Sequence, residues 1–280
     1  MAIKAADVKK LRDQTGAGMM DCKKALTETD GDFEKAIEAL RKKGQKLSEK
    51  RADREANEGV VIAKTSDNKN SGVVIRLSCE TDFVSKGDSF VELATSFADI
   101  ALDKLPENLE ALLALEYEPG MTIAKKVEQS TGVIGEKIDL SAYEKLVTAA
   151  GEGQVLPYIH MGNKAGVIVA LNLEGPQYEE PGKNVAMQVA AMHPIALDKD
   201  GIDASVIEKE IEIGKDIARQ EGKPEEMLER IATGKLNKFF KERTLLNQIY
   251  VKGNKETVAD YLKTAHADLT VTDFKHLKLG

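Results

Sequence analysis

Gly72-Val73-Val74-Ile75-Arg76-Leu77-Ser78-Cys79-Glu80-Thr81-Asp82-Phe83-Val84 is the stretch from which the rest of the chain can be read. Its first half is a β-branched, aliphatic run and reads as a strand. Val60-Val61-Ile62 is an earlier run of the same kind, and the polar string Ser66-Asp67-Asn68-Lys69-Asn70 between them reads as the turn of a hairpin. Beyond Val84 a helix is expected over residues 88–103. Cys79–Val84 therefore lies on a connection between a strand and a helix. A large ring beside an acid on such a connection is unusual, because an exposed Phe costs solubility. Two accounts stay open from the residues alone. In one, Thr81 caps a helical turn and Phe83 folds inward. In the other, Phe83 stands out as a wedge.

Further along the chain the pattern returns. Residues 156–161 and 166–173 form a second hairpin turning at Gly162-Asn163-Lys164, followed by a helix near 184–192. Gly72-Val73-Val74-Ile75 and Gly166-Val167-Ile168-Val169 then read as two copies of one unit. Ile100-Ala101-Leu102 and Ile195-Ala196-Leu197 lie at nearly the same distance beyond each copy. Antiparallel strands flanked by helices make this an α+β protein with two related sheet-plus-helix units.

Towards the N-terminus, residues 5–43 read as three short helices. The first runs through Val8 and Leu11 and stops at Thr15-Gly16-Ala17-Gly18. The second carries Met19, Met20, Cys22, Ala25 and Leu26. Asp32 is the expected N-cap of the third, with Phe33, Ile37 and Leu40 on one face. So small a bundle is expected to be tethered to something larger. Residues 41–58 are charged and form a linker or a solvated helix. Their basic side chains could meet RNA, but interleaved acids favour a solvated connector. Residues 203–243 are long, charged and helical, with Ile207, Ile211, Gly214 and Ala218 on one stripe and Ile213 and Ile217 beside it. Gly222-Lys223-Pro224 breaks the run, and Met227, Leu228, Ile231 and Leu236 form a second stripe. An antiparallel helical hairpin is expected, serving either as core or as an interaction arm; the sequence divides the two evenly.

Composition narrows the function. The 280 residues favour about two domains with smaller appendages, and a 42% apolar content is ample for a core. A net charge of −7 argues against broad nucleic-acid binding. No secretory signal or membrane-spanning run is present, and Cys22 and Cys79 belong to no CxxC pair, so a cytoplasmic setting is expected. No phosphate-cradling Gly-rich loop ending in Lys-Ser or Lys-Thr occurs. Gly16-Ala17-Gly18 is too short for a dinucleotide fingerprint and follows a helix. His160, His193, His266 and His276 are scattered without metal-ligand spacing. Cys79 could be a nucleophile, but with no histidine motif nearby a buried thiol is the better account. Neither enzymatic chemistry nor a cofactor is expected.

Two segments carry a resemblance. Thr15-Gly16-Ala17-Gly18-Met19-Met20-Asp21-Cys22-Lys23-Lys24-Ala25-Leu26 places two flexible thioethers at a helix start, where they could pack in the bundle or meet a partner. Together with Cys79–Val84 it resembles the elongation factor Ts family. Ile134-Gly135-Glu136, Tyr158-Ile159-His160, Gly222-Lys223-Pro224 and Gly234-Lys235-Leu236 match in order along almost the whole chain.

The resemblance implies a guanine-nucleotide exchange factor for elongation factor Tu in translation elongation, binding its GDP-bound and nucleotide-free forms. It implies a UBA-like (ubiquitin-associated-like) helical module and linker at 1–55 and core subdomains at 56–145 and at 146–202 with 244–280. It also implies a coiled-coil dimerisation arm at 203–243. Met19, Met20 and Lys23 match positions that dock on the partner's GTP-binding domain. Thr81, Asp82, Phe83 and Val84 match the loop that intrudes beside its magnesium site, with Asp82 and Phe83 at the contact. Ile134, Gly135 and Val251 fall where further family contacts lie. No direct contact with nucleic acid or membrane is implied.

Two departures follow. Met187-Gln188-Val189-Ala190-Ala191 puts Gln188 where the family has a contact histidine; an amide can donate a hydrogen bond but cannot become cationic. Contacts of the C-terminal helical extension that some members carry are expected to be missing or replaced. Two other readings remain: an adaptor whose helical module binds ubiquitin-like surfaces, and an enzyme built on Cys79.

Overall fold

The computed structural model describes residues 3–280. Two three-stranded antiparallel sheets form its centre. Three helices precede them: α1 (Ala5–Thr15), α2 (Met19–Glu28) and α3 (Phe33–Arg51). The first sheet contains β1 (Glu58–Thr65) and β2 (Ser71–Cys79). After these come the single turn α4 (Asp82–Ser85), then α5 (Asp88–Lys104) and α6 (Leu109–Ala114). A small hairpin of β3 (Glu116–Glu118) and β4 (Met121–Thr122) leads to α7 (Ile123–Ile134), and β5 (Asp139–Val147) completes the sheet beside β2.

The second sheet begins with β6 (Gln154–Ile159) and β7 (Ala165–Leu171), followed by α8 (Glu179–Met192). The hairpin of α9 (Ala204–Gln220) and α10 (Glu225–Arg243) intervenes, then α11 (Val258–Ala265), before β8 (Val271–Lys278) closes the sheet against β7.

β1, β2 and β7 are covered on both faces, which is why they read as continuous apolar runs, whereas β5 and β8 are mixed in sequence and partly exposed. Val60, Ile62, Val73, Ile75 and Leu77 face a core completed by Phe90, Ala94, Phe97 and Ala101 of α5. Val61, Ala63 and Val74 face the other way and meet Val155, Ile168 and Ala170 of the second sheet. Leu156, Val167, Val169 and Leu171 then meet Val185, Ala186 and Val189 of α8. The layers therefore run helix, sheet, sheet, helix.

The two units are related by an offset of 94 positions (166 − 72) that packing repeats in detail. Gly72 lies so close to Val155 that an added Cβ would sit 2.6 Å from it, and Gly166 lies against Val61 in the same way, at 2.7 Å. Gly59 and Gly153 both have positive φ, and a Cβ on either would strike the carbonyl of Leu77 or Leu171 at 2.2 and 1.9 Å. Register shifts fall at Arg76/Leu77 and at Ala170/Leu171, the same step of each middle strand. By contrast, Ile100-Ala101-Leu102 lies inside α5, whereas Ile195–Leu197 lies beyond α8, where Ala196 bridges Thr244. That part of the sequence repeat is coincidental.

Helix ends follow their residues. Asp32 accepts the amide of Lys35 at 3.1 Å, as its position as N-cap requires. Gly16 ends α1 in the left-handed region. α8 starts at Glu179, earlier than residue 184, because Pro181 falls in the first turn, where a missing N–H costs nothing. In the α9–α10 hairpin, Gly214 lets the helices approach until its Cβ would lie 3.1 Å from the Cα of Ala232.

Candidate partner-binding site

In the Cys79–Val84 connection every side chain except that of Phe83 has a partner within the chain. Cys79 is fully buried and its Sγ donates to the carbonyl of Thr81 at 3.2 Å. Burial, with help from the nearby Glu136 charge, pushes that thiol up to about 12, so it has no thiolate to offer as a nucleophile. Glu80 accepts from the Lys137 amide at 2.6 Å, from Arg51 at 2.5 Å and from Arg54 at 3.3 Å. The Lys137 amide first, and then the guanidinium of Arg51, hold its carboxyl below the ordinary range.

Thr81 does not cap the turn with its side chain. Its hydroxyl and its amide both donate to the Glu136 carboxylate, at 2.6 and 3.0 Å. Asp82 pairs with Lys86 one turn on, at 2.6 Å, and that hydrogen bond keeps the exposed carboxyl anionic. Val84 packs against the first core, while Phe83 stands 88% exposed. The inward account of Phe83 is overturned.

α7 brings this loop and the helical bundle together. Gly132 touches Gly44 of α3 so closely that a Cβ on Gly132 would lie 2.5 Å from the Cα of Gly44. Val133 lies against Gly16, 3.5 Å from where its Cβ would be. Ile134 packs on the first core and Gly135 caps the helix at φ +84°, turning the chain so that Glu136 reaches back to Thr81. Only a residue tolerating positive φ serves at Gly135.

On α2 the two thioethers separate from the other apolar residues. Cys22, Ala25 and Leu26 enter the bundle core with Val8 and Leu11, whereas Met19 and Met20 remain 46% and 75% exposed. Lys23 is exposed too, one turn from Met19. The core reading holds for Cys22 and fails for both methionines.

Gln188 and Val251 belong to the other half of the molecule. Val251 is 46% exposed, in a non-helical segment between α10 and α11. Gln188 is a correction: it is fully buried in α8 and cannot touch a partner in this fold. Its Nε2 donates to Gln248 and to the carbonyl of Ile249, and its Oε1 accepts the Val251 amide at 2.9 Å. The side chain faces inward because α8 lays Val185, Val189 and Gln188 against the rest of the second unit.

Sequence reasoning did not find Glu80, Glu136 or the Gly44–Gly132 contact as parts of this site. The Ile134-Gly135-Glu136 string was the available signal for Glu136, but its partner Thr81 is 55 residues away. Among the described residues, no cluster of His, Cys, Asp and Glu could hold a metal, and no helix is long and apolar enough to cross a membrane.

The arrangement is an exposed edge: one free aromatic ring beside one anion on a heavily braced loop, with two exposed thioethers on a module packed against α7. A family profile described as Elongation factor TS matches residues 80–280. The chain is similar to elongation factor Ts of Christiangramia forsetii, at 51% identity over 278 residues, covering 99% of each chain. It is 53% identical to elongation factor Ts of Flavobacterium psychrophilum, again covering 99% of each. With elongation factor Ts of Amoebophilus asiaticus it shares 51% identity over 281 residues and the whole of both chains.

Proposed function

Because this chain belongs to the elongation factor Ts family, we propose that it is a guanine-nucleotide exchange factor for elongation factor Tu in translation elongation. It performs no covalent chemistry of its own. The observation that carries the reading is the exposed ring of Phe83 on a loop whose neighbours are tied down.

The partner holds GDP through phosphate contacts and a magnesium ion, and magnesium demands near-ideal octahedral geometry. An apolar ring pushed beside that ion displaces the elements carrying its ligands, so metal and phosphate binding weaken together. Burying Phe83 against the partner supplies up to roughly 1.5–3 kcal/mol. The Asp82 anion adds repulsion towards the phosphates. Bracing matters as much as the ring, since a wedge on a mobile loop would yield rather than displace its neighbour. Linkage makes the effect reciprocal: if this chain loosens GDP, GDP loosens this chain by the same factor.

In this reading residues 1–55 are a UBA-like module and linker docking on the GTP-binding domain through Met19, Met20 and Lys23. Ile134 and Gly135 border the same contact, and Val251 makes another. Residues 56–145 and 146–202 with 244–280 are the two related core subdomains, a division supported by the 94-position pairing of Gly72 and Gly166. Residues 203–243 form a coiled-coil arm that pairs two copies of the chain, which exposed Ile213, Ile217 and Met227 favour. Charging that face with Ile213→Asp and Ile217→Asp should shift sedimentation from dimer to monomer; a wild-type chain that sediments as a monomer would reject the pairing.

The test of the function is the dissociation of labelled GDP from elongation factor Tu. Addition of this protein should accelerate it in proportion to concentration until saturation. A rate that does not move at any concentration rejects the proposal.

A further inference from the structure

Two buried glutamines hold a stretch of main chain that belongs to no sheet. Gln188 is 0% exposed and Gln248 1%. Gln188 Nε2 donates to Gln248 Oε1 and to the Ile249 carbonyl, both at 3.1 Å, while its Oε1 accepts the Val251 amide at 2.9 Å. Gln248 Nε2 donates to the carbonyls of Glu242 and Met192, at 2.9 and 3.4 Å. Every polar atom of the Gln188 side chain is therefore used. Buried amides are costly unless satisfied, and a leucine of similar size would fill the same space without that demand. What only an amide supplies is a donor and an acceptor on one rigid plane, here engaging the carbonyl of residue 249 and the N–H of residue 251 at once.

That segment carries apolar side chains into solvent: Ile249 is 53% exposed and Val251 46%. Side chains so placed bury only about half their apolar surface in their own fold, yet their backbone is pinned from beneath. We propose that Gln188, itself held by Gln248, is a positioning residue that directly fixes the Ile249–Val251 main chain so that Val251 meets elongation factor Tu in one geometry. The inference rests on the exchange-factor reading for its partner, but the clamp itself is a property of the free chain.

The roles separate kinetically. Holding Val251 affects how tightly the partner is bound; the Phe83 loop lies on the other unit and governs how fast GDP leaves once the complex has formed. Gln188→Leu removes all three bonds while roughly conserving volume, and Gln188→Met is a second apolar variant with a flexible chain that tolerates the site. Gln188→His, neutral at about pH 8, restores one donor and one acceptor.

Hydrogen exchange at the Val251 amide of the free protein and titration of GDP release against protein concentration are measured on all four proteins. For whichever apolar variants melt as folded proteins, Val251 exchange should accelerate and the half-saturating concentration should rise, each about tenfold, equivalent to about 1.4 kcal/mol. The plateau rate should stay at the wild-type value, and Gln188→His should recover most of the loss at about pH 8. Unchanged Val251 protection in a folded apolar variant overturns the proposal. So does a fall in the plateau without a change in half-saturation, or a histidine variant no better than leucine or methionine. A wild-type protein that releases no GDP sinks the exchange-factor reading instead, and Val251 protection still decides the clamp.

Discussion

Phe83 is 88% exposed at the tip of a turn whose neighbours Glu80, Thr81 and Val84 are each tied to the rest of the molecule. A ring facing water adds little to its own fold, so Phe83→Ala should change unfolding free energy by no more than about 0.5 kcal/mol in denaturant melts. Glu80 behaves in the opposite sense. Its carboxyl is held below the ordinary range by the Lys137 amide and by Arg51, so the stability it contributes is complete above the unfolded glutamate value of about 4.3 and is lost as pH falls through its lower folded value. The stability gap between wild type and Glu80→Gln should therefore be constant near neutrality and close below about pH 4. A gap that never narrows at acid pH would mean that the carboxylate charge, held by the Lys137 amide and Arg51, contributes nothing. Phe83 was legible in the sequence because a large ring beside an acid is out of place on a connection. Glu136 was not, because its bond to Thr81 depends on β5 returning beside β2, a pairing between distant segments that no local pattern displays.

Among the elements, α7 does most to hold the site together. Its last turn meets the bundle at Gly44 and Gly16 and the first core at Ile134, and Glu136 just beyond it holds the Phe83 loop. The contact of α3 with α7 is backbone on backbone, and its tolerance is unequal. A Cβ at Gly44 would lie 3.4 Å from the Cα of Gly132, an ordinary contact, whereas one at Gly132 would lie 2.5 Å from the Cα of Gly44. Gly132→Ala should therefore cost about 1–3 kcal/mol and expose the α3–α7 seam to limited proteolysis. Gly44→Ala should be nearly neutral. Equal effects would contradict the close approach. Elements with local punctuation were readable in advance: Asp32 opens α3, Gly16 closes α1, and Gly222-Lys223-Pro224 separates α9 from α10. β5 carries no comparable signal, whereas α7 does: Thr122 accepts the Lys125 amide at its start and Gly135 closes it in the left-handed region, a punctuation weaker to the eye because no long apolar stripe accompanies it. The 94-position repeat was visible in the Val/Ile strings, but its physical basis is the reciprocal fit of Gly72 on Val155 and Gly166 on Val61.

At the scale of the whole molecule, two sheets packed back to back form a continuous centre that carries the helical bundle, the Phe83 loop and the α9–α10 hairpin. The proposed wedge action requires such backing, because displacing a partner's ion site needs a loop that does not give way. In the proposed reading, binding through several separated surfaces divides the work: the exposed Met19, Met20 and Val251 add affinity, and Phe83 converts it into GDP release. The decisive measurement is stopped-flow release of labelled GDP from elongation factor Tu at saturating concentrations of wild type and Phe83→Ala. The account expects the variant to bind and to release GDP at least about tenfold more slowly, in line with losing about 1.5 kcal/mol or more of apolar contact. A release rate equal to that of the wild type would contradict it.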